Sequence, residues 1–174
     1  MPSSPIRRVV DLEEAEALVA RAKAAGKRVV LANGHFDLLH VGHVRYLEGA
    51  RACGDYLVVA VNDDHATARQ KGRGRPIVPA AERAEMVAAL SVVDVVLIFG
   101  QERVSSLLER LRPDVHCKGT DYLEDTVPER DVMRRLGGDT RIVGDPKRHA
   151  TRDVIATVLE RFAPKAKEQE KGPR

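Results

Sequence analysis

The sequence predicts an α/β fold: one doubly wound domain, with a parallel sheet of about five strands and helices on both faces. Three observations carry this. Short runs that are almost continuously apolar recur along the chain, such as VVLA at 29–32, DYLVVAVN at 55–62 and DVVLIF at 94–99; strands buried on both faces read this way. Stretches of helical length and pattern alternate with them. The apolar share comes mainly from Ala, Val and Leu, with no Trp, which suits Val-rich buried strands and Ala- and Leu-rich helices.

The elements follow in order. Residues 11–25 form an amphipathic helix that starts acidic and stops at Gly26, as the helix dipole favours. A buried strand at 28–33 breaks at Asn33-Gly34, and a helix over 42–52 is closed by Gly54. The strand at 55–62 leads into a polar loop rich in Gly and Arg over 63–79. A helix at 80–90 and a strand at 94–99 come next, then a helix at 102–111 and a strand at 114–118. The chain ends its ordered part with a helix at 128–136, a short strand at 140–143 and a helix at 151–162. Such alternation defines a Rossmann-like domain, assigned to residues 1–163. The Lys- and Glu-rich segment 164–174 reads as a disordered tail. No internal repeat is visible.

Composition narrows the function. A chain of 174 residues supports one domain with a real core. Its net charge of +3 is spread over many residues of both signs, without the clustered basic stripe a nucleic-acid binder needs. Cys53 and Cys117 stand far apart with no Cys-x-x-Cys pair, so no disulfide framework or zinc ribbon is expected. The first residues lack an apolar leader core, and no run approaches membrane-spanning length. A cytoplasmic protein is the expectation.

In open α/β sheets ligands bind outside the carboxyl ends of the strands, and three polar clusters fall there. The first joins the first long strand to its helix: Asn33, Gly34, His35, Phe36, Asp37, then His40, Gly42 and His43. Asn33-Gly34 permits a tight turn. Gly42 allows close backbone approach at a helix start, whose free N–H groups suit an anion. His40 and His43, three apart at that start, can meet one phosphate. Neither Gly-x4-Gly-Lys-Ser/Thr nor Gly-x-Gly-x-x-Gly follows the first strand, which argues against a P-loop NTPase or a dinucleotide dehydrogenase.

The run GHFDLLHVGH at 34–43 resembles the signature of the nucleotidyltransferase superfamily, a His-x-Gly-His element after a Gly-x-Phe-Asp turn. The likeness extends over residues 8–162. It takes in the strand end with Asn62 and Asp64, the loop from Lys71 to Arg75, the helix with Arg83, and Lys118-Gly119-Thr120-Asp121-Tyr122. That last pattern is most similar to the adenylyltransferases that make ADP-heptose from D-glycero-β-D-manno-heptose 1-phosphate. The resemblance implies ATP and a sugar 1-phosphate as substrates, Mg2+ as cofactor, and a homodimer. It places His40 and His43 in catalysis on the triphosphate, Lys71 in catalysis on phosphates of one or both substrates, Lys118, Gly119 and Asp121 on nucleotide or sugar hydroxyls, and Asn62, Asp64, Arg75 and Arg83 on substrate. Relatives carry a Ser-Thr-Thr type element at the start of the last helix; here only Thr151 is kept, between Ala150 and Arg152. Arg152 either replaces a hydroxyl contact with a charge-assisted one or points into solvent. His35 also departs from the small or apolar residue common in heptose enzymes.

The chemistry agrees independently. A sugar phosphate with a second pKa of about 6 is mostly a dianion at neutral pH, so no general base is needed. What is needed is alignment with the α-phosphorus and stabilisation of charge on phosphoryl oxygens. Plainer readings compete. His35, Asp37, His40 and His43 contain metal-ligating types, but a helix running through Asn33-Gly34 is disfavoured. Asp37 either orders the turn or touches metal. Lys71 to Arg75, and Arg148 with Arg152, also read as solvated charges; His65 and His116 read as structural, and Cys117 as core. The rival functions are a cytidylyltransferase acting on glycerol 3-phosphate, an FAD synthetase-like enzyme, a non-catalytic nucleotide-binding module and, last, a nucleic-acid-binding protein.

Overall fold

The computed structural model describes residues 9–100, 104–123, 126–145 and 150–163. The tail from 164 and the Lys147-Arg148-His149 cluster lie outside the described residues. The chain runs β1 (Val9–Val10), α1 (Leu12–Ala24), β2 (Val29–Gly34), α2 (Val41–Arg51), β3 (Tyr56–Asn62), α3 (Asp64–Lys71), α4 (Ala80–Ala88), β4 (Val95–Phe99), α5 (Ser105–Leu111), β5 (Val115–Gly119), α6 (Arg130–Arg135), β6 (Asp139–Val143) and α7 (Thr151–Phe162).

All pairings are parallel, and the six-stranded sheet has the order β1-β4-β3-β2-β5-β6. Aspartates at the amino ends of the strands set the register. Asp55 accepts from Arg28 N at 2.9 Å, Asp114 from Val29 N at 2.7 Å and Asp94 from Leu57 N at 2.8 Å. Each carboxylate satisfies a strand-end donor of a neighbouring strand that the ladder leaves open.

Strand alternation divides the interior. Val30, Ala32, Val59 and Val61 face one way, against Leu47 and Ala50 of α2 and Ala84, Val87 and Ala88 of α4. Val29, Leu31, Val58 and Ala60 face the other, against Ala15, Val19 and Ala22 of α1, Leu107, Leu108 and Leu111 of α5 and Met133 of α6. Gly54 is needed for space: a Cβ there would lie 2.6 Å from the Arg28 carbonyl oxygen. Asp11 caps α1, its carboxylate accepting from Glu14 N at 2.8 Å.

Two expectations are corrected. The sheet has a sixth strand, β1, whose two residues escape a periodicity reading but pair with β4. The segment after β3 is not wholly a loop. Asp63 caps α3, accepting from Ala66 N at 2.6 Å, and Ala66 and Thr67 are buried. Its polar surface hid a helix held mainly by capping and by those two small side chains.

After β2 the chain lays β3 and β4 on one side, then crosses over through α5 to put β5 and β6 on the other. The switch point is therefore flanked by the carboxyl ends of β2 and β5, and a crevice opens there.

Candidate active site

The crevice is a cleft of about 810 Å³ lined by the β2–α2 loop, the ends of α3 and β5, and the first turn of α7. It brings together Asn33, Gly34, His35, Phe36, Asp37, His40, Gly42, His43, Asn62, Lys71, Arg75, Lys118, Gly119, Asp121, Thr151 and Arg152. Asp64 and Arg83 do not line it.

The loop between β2 and α2 is built on two non-glycine residues in the left-handed region, Phe36 (φ 50°) and Leu38 (φ 49°). Such backbone costs on the order of 1 kcal/mol or more per residue and persists where surroundings over-determine it. Asp37, between them, provides that. Its carboxylate accepts from Arg75 Nε at 2.6 Å, from Ile77 N at 3.0 and 3.1 Å and from Val78 N at 3.0 Å. Burial works to raise its pKa, but the backbone donors and Arg75 outweigh it and hold the carboxyl below its ordinary value. Asp37 is thus a loop anchor. Phe36 is buried between the Gly34 backbone and the rings of His43, 5.4 Å away, and Tyr46, 6.4 Å away; a Cβ on Gly34 would lie 3.1 Å from the Phe36 ring.

That anchored loop delivers the two histidines. His40 is the extended N-cap of α2 (φ −136°). Its Nδ1 accepts from Gly42 N at 3.2 Å, and His43 Nδ1 accepts from His40 N at 3.3 Å. A ring nitrogen that accepts from backbone N–H is unprotonated, so in each neutral imidazole the proton sits on Nε2. The rings stack with centroids 3.9 Å apart. Burial, reinforced by His40, pushes the His43 pKa down to about 4, so at neutral pH it is an uncharged N–H donor. Lys71, the last residue of α3, lines the same cleft.

Several residues expected at substrate have polar groups engaged within the protein. Arg83 is fully buried. Its Nε donates to Val78 O at 2.8 Å, one Nη to His35 O, and the other to Asn62 O and Asp64, each at 2.8 Å. It ties the β2–α2 loop, β3 and α4 together, and Asp64 is its partner rather than a group facing the cleft. His35 lines the cleft, but both ring nitrogens are taken. Nε2 donates to Gln70 Oε1 at 3.1 Å, which leaves Nδ1 to accept from Thr67 Oγ1 at 3.0 Å. Burial, with Lys71 nearby, lowers its pKa to about 4. Thr151 donates its hydroxyl to Asp37 O at 2.7 Å, docking the first turn of α7 on the loop. Arg152 lines the cleft with a largely exposed side chain, 3.7 Å from Asp153.

On the β5 side, Lys118 is buried. Its Nζ lies 3.3 Å from Asn33 Oδ1, 3.5 Å from Glu129 Oε2 and 5.2 Å from the centre of the Tyr122 ring. Burial lowers its pKa, and Glu129 partly restores it. Sequence reasoning missed Glu129; its only signal is a carboxylate at a helix start. It also missed Tyr46, which lines the cleft and donates to Cys117 O at 2.7 Å. Among the described residues no three His, Cys, Asp or Glu side chains are grouped to hold a metal. In the cleft, the Asp37 carboxylate is engaged by Arg75 and that of Glu129 by Lys118. Among the described residues, no helix is long and apolar enough to cross a membrane.

A family model described as cytidylyltransferase-like matches residues 31–167. The bifunctional protein HldE of Geobacter sulfurreducens is 42% identical over 155 residues, 89% of this chain and 32% of that protein. The HldE of Azotobacter vinelandii is 43% identical over 152 residues, 87% of this chain and again 32% of that protein. The chain therefore spans about a third of the length of the curated relatives it matches. The crystal structure of a lipopolysaccharide core biosynthesis protein from Thermoplasma volcanium aligns with a TM-score of 0.58 at 32% identity, covering 67% of this chain and 94% of that one.

Proposed function

The chain belongs to the cytidylyltransferase-like family of nucleotidyltransferases, and on that premise we propose that it transfers AMP from ATP to D-glycero-β-D-manno-heptose 1-phosphate, giving ADP-heptose and pyrophosphate. The observation that carries the reading is the histidine pair. His40 and His43 have their Nδ1 atoms held by backbone, so both keep Nε2–H as donor, and both line the cleft with Lys71.

A phosphate dianion on the sugar attacks the α-phosphorus directly. The bond from the α-phosphorus to the bridging oxygen breaks, and its electron pair leaves with pyrophosphate. The two N–H donors and Lys71 meet charge as it builds on the phosphoryl oxygens, each donor being worth roughly 100-fold in turnover or more. Bound with the nucleotide, Mg2+ would supply neutralisation of phosphate charge.

The heptose assignment rests on the Lys118 to Tyr122 element and is supported by the likeness to the Thermoplasma protein of lipopolysaccharide core biosynthesis. The cytidylyltransferase-like character of the family keeps a second reading, a cytidylyltransferase of the glycerol 3-phosphate type. The setting proposed is the cytoplasm, with no nucleic-acid partner. We also propose a homodimer. Val154, Val158, Leu159 and Phe162 are exposed along α7, a spacing that puts them on one side of a helix, and none of its residues is buried.

Pyrophosphate release with Mg2+, crossing ATP and CTP against heptose 1-phosphate and glycerol 3-phosphate, tests the assignment. Turnover with ATP and the heptose alone is expected. Turnover with CTP would move the enzyme to the second reading, and silence in all four arms would overturn both.

A further inference from the structure

Three buried side-chain atoms have no hydrogen-bond partner among the described residues: His116 Nδ1, Glu129 Oε2 and Thr140 Oγ1. They share one neighbourhood. His116 and Lys118 stand two apart on β5, so they lie on one face of the sheet. His116 pairs in register with Thr140 of β6, which sets those two side chains next to each other about 5 Å apart. Glu129 reaches the same place through its ion pair with Lys118.

The chemistry at Asn33 fixes the protons. Its Oδ1 lies 3.0 Å from His116 Nε2 and 3.3 Å from Lys118 Nζ. An ammonium has only donors, so the carboxamide atom facing it is the oxygen and the amide cannot be turned the other way. His116 Nε2 faces that same oxygen and must carry a proton, which leaves Nδ1 as a bare acceptor. Thr140 offers a hydroxyl donor beside it. The two atoms are therefore complementary in kind, one a donor and the other an acceptor.

We propose that His116 is a positioning residue for the transfer reaction. Together with Lys118 it clamps Asn33 by its carbonyl oxygen and turns the amide N–H2 into the cleft as a fixed donor to the nucleotide's phosphoryl oxygens. This rests on the nucleotidyl-transfer reading above. A freely rotating Asn33 would present its oxygen to the phosphates in a share of molecules, a repulsive contact; the clamp removes that state before substrate arrives. Burial pushes the His116 pKa down to about 3, with Lys118 adding to it, so the clamp keeps one form at every pH at which the substrate is a dianion.

Two variants separate positioning from packing. His116→Leu fills the space but has no donor; His116→Gln places an N–H near the Nε2 position. H116L is expected to lower kcat at least tenfold and weaken Mg-ATP binding by a similar factor, and H116Q to restore both to within about threefold. Asn33→Asp, which accepts both clamp bonds but has no N–H, should lose about 100-fold in kcat while melting no lower than the parent. Nitrogen-15 NMR of the ligand-free chain should show the His116 Nε2–H tautomer from pH 5 to 9. Parental kcat in folded H116L, equal losses in H116L and H116Q, or an Nδ1–H tautomer would each overturn the proposal. If the parent proves inactive with every acceptor, the transfer reading falls, and the Mg-ATP affinities with the tautomer still decide the clamp.

Discussion

Replacing Arg83 by Met tests whether this residue touches substrate or holds the site together. The side chain is fully buried and donates to three backbone carbonyls, of Val78, His35 and Asn62, and to Asp64. Met has similar length and no donor. The three carbonyls then lose their partner at about 1–3 kcal/mol for each buried group, and half-exposed Asp64 regains water at little cost. Breaking a buried charged contact by removing one side typically costs about 3–5 kcal/mol, and the larger sum shrinks towards that figure once water enters. A domain of this size loses about 2–4 °C in Tm per kcal/mol, so R83M should melt roughly 6–20 °C lower. Thermal unfolding by circular dichroism, with and without saturating Mg-ATP, reads it. Because one of the freed carbonyls belongs to His35, in the loop that carries His40 and His43, kcat should also fall. An R83M protein that melts within about 2 °C of the parent and differs only in a raised KM would refute the reasoning and return Arg83 to substrate contact.

Four further outcomes are expected. Alanine at His40 or His43 should lower kcat by roughly 100-fold or more in single-turnover assays, and near-parental rates in both would remove the pair from the chemistry. The His35, His43 and His116 pKa values lie at about 4, 4 and 3, below the ordinary 6.5. The unfolded chain therefore binds more protons than the native one as pH falls from 6.5 towards those values. Stability is complete above pH 6.5 and is lost on acidification; H116Q should lose roughly 2 kcal/mol less than the parent between pH 7 and 4.5 in urea titrations. The same values leave these three side chains neutral above pH 5.5. The acid limb of kcat/KM should then fall at about pH 6, the second ionisation of the acceptor phosphate, and a limb that moves with the His43 side chain instead would contradict this. Phe162→Glu should convert a dimer to a monomer in light scattering; a parent that is already monomeric would end the dimer proposal.

The fold was legible where burial is two-sided. β2, β3, β4 and β5 read directly from their apolar runs, and α7 from its spacing. β1 was not, because two residues carry no period, and α3 was not, because its stability comes from the Asp63 cap and small buried side chains. In the site, the Asn33 to His43 segment announced itself through a turn, a strand end and a helix start coinciding, and the cleft does gather those residues. The roles within it were harder to read. Asp37 and Arg83 are polar and charged types expected at a ligand, yet their partners are distant backbone groups that only the tertiary structure supplies. His116 read as merely structural because nothing in the sequence shows that its ring reaches Asn33 on the next strand. Glu129 was invisible for the same reason.

The two ends of the sheet carry a separate consequence. A parallel sheet that does not close leaves a ladder of unpaired N–H and C=O groups along each outer strand, an open invitation to another chain. At one border β1 spans two residues among those described, too short to template an incoming segment. At the other, β6 alternates exposed Asp139 and Arg141 with buried Thr140, and Asp139 is bound by Arg28 and Arg141. A neighbouring molecule would have to strip water from these charges to add a strand. The Val-rich runs inside are the segments that would aggregate if presented to another copy. Their protection is built into the borders, so neutralising Asp139 and Arg141 together is a change that would alter solubility before it altered catalysis.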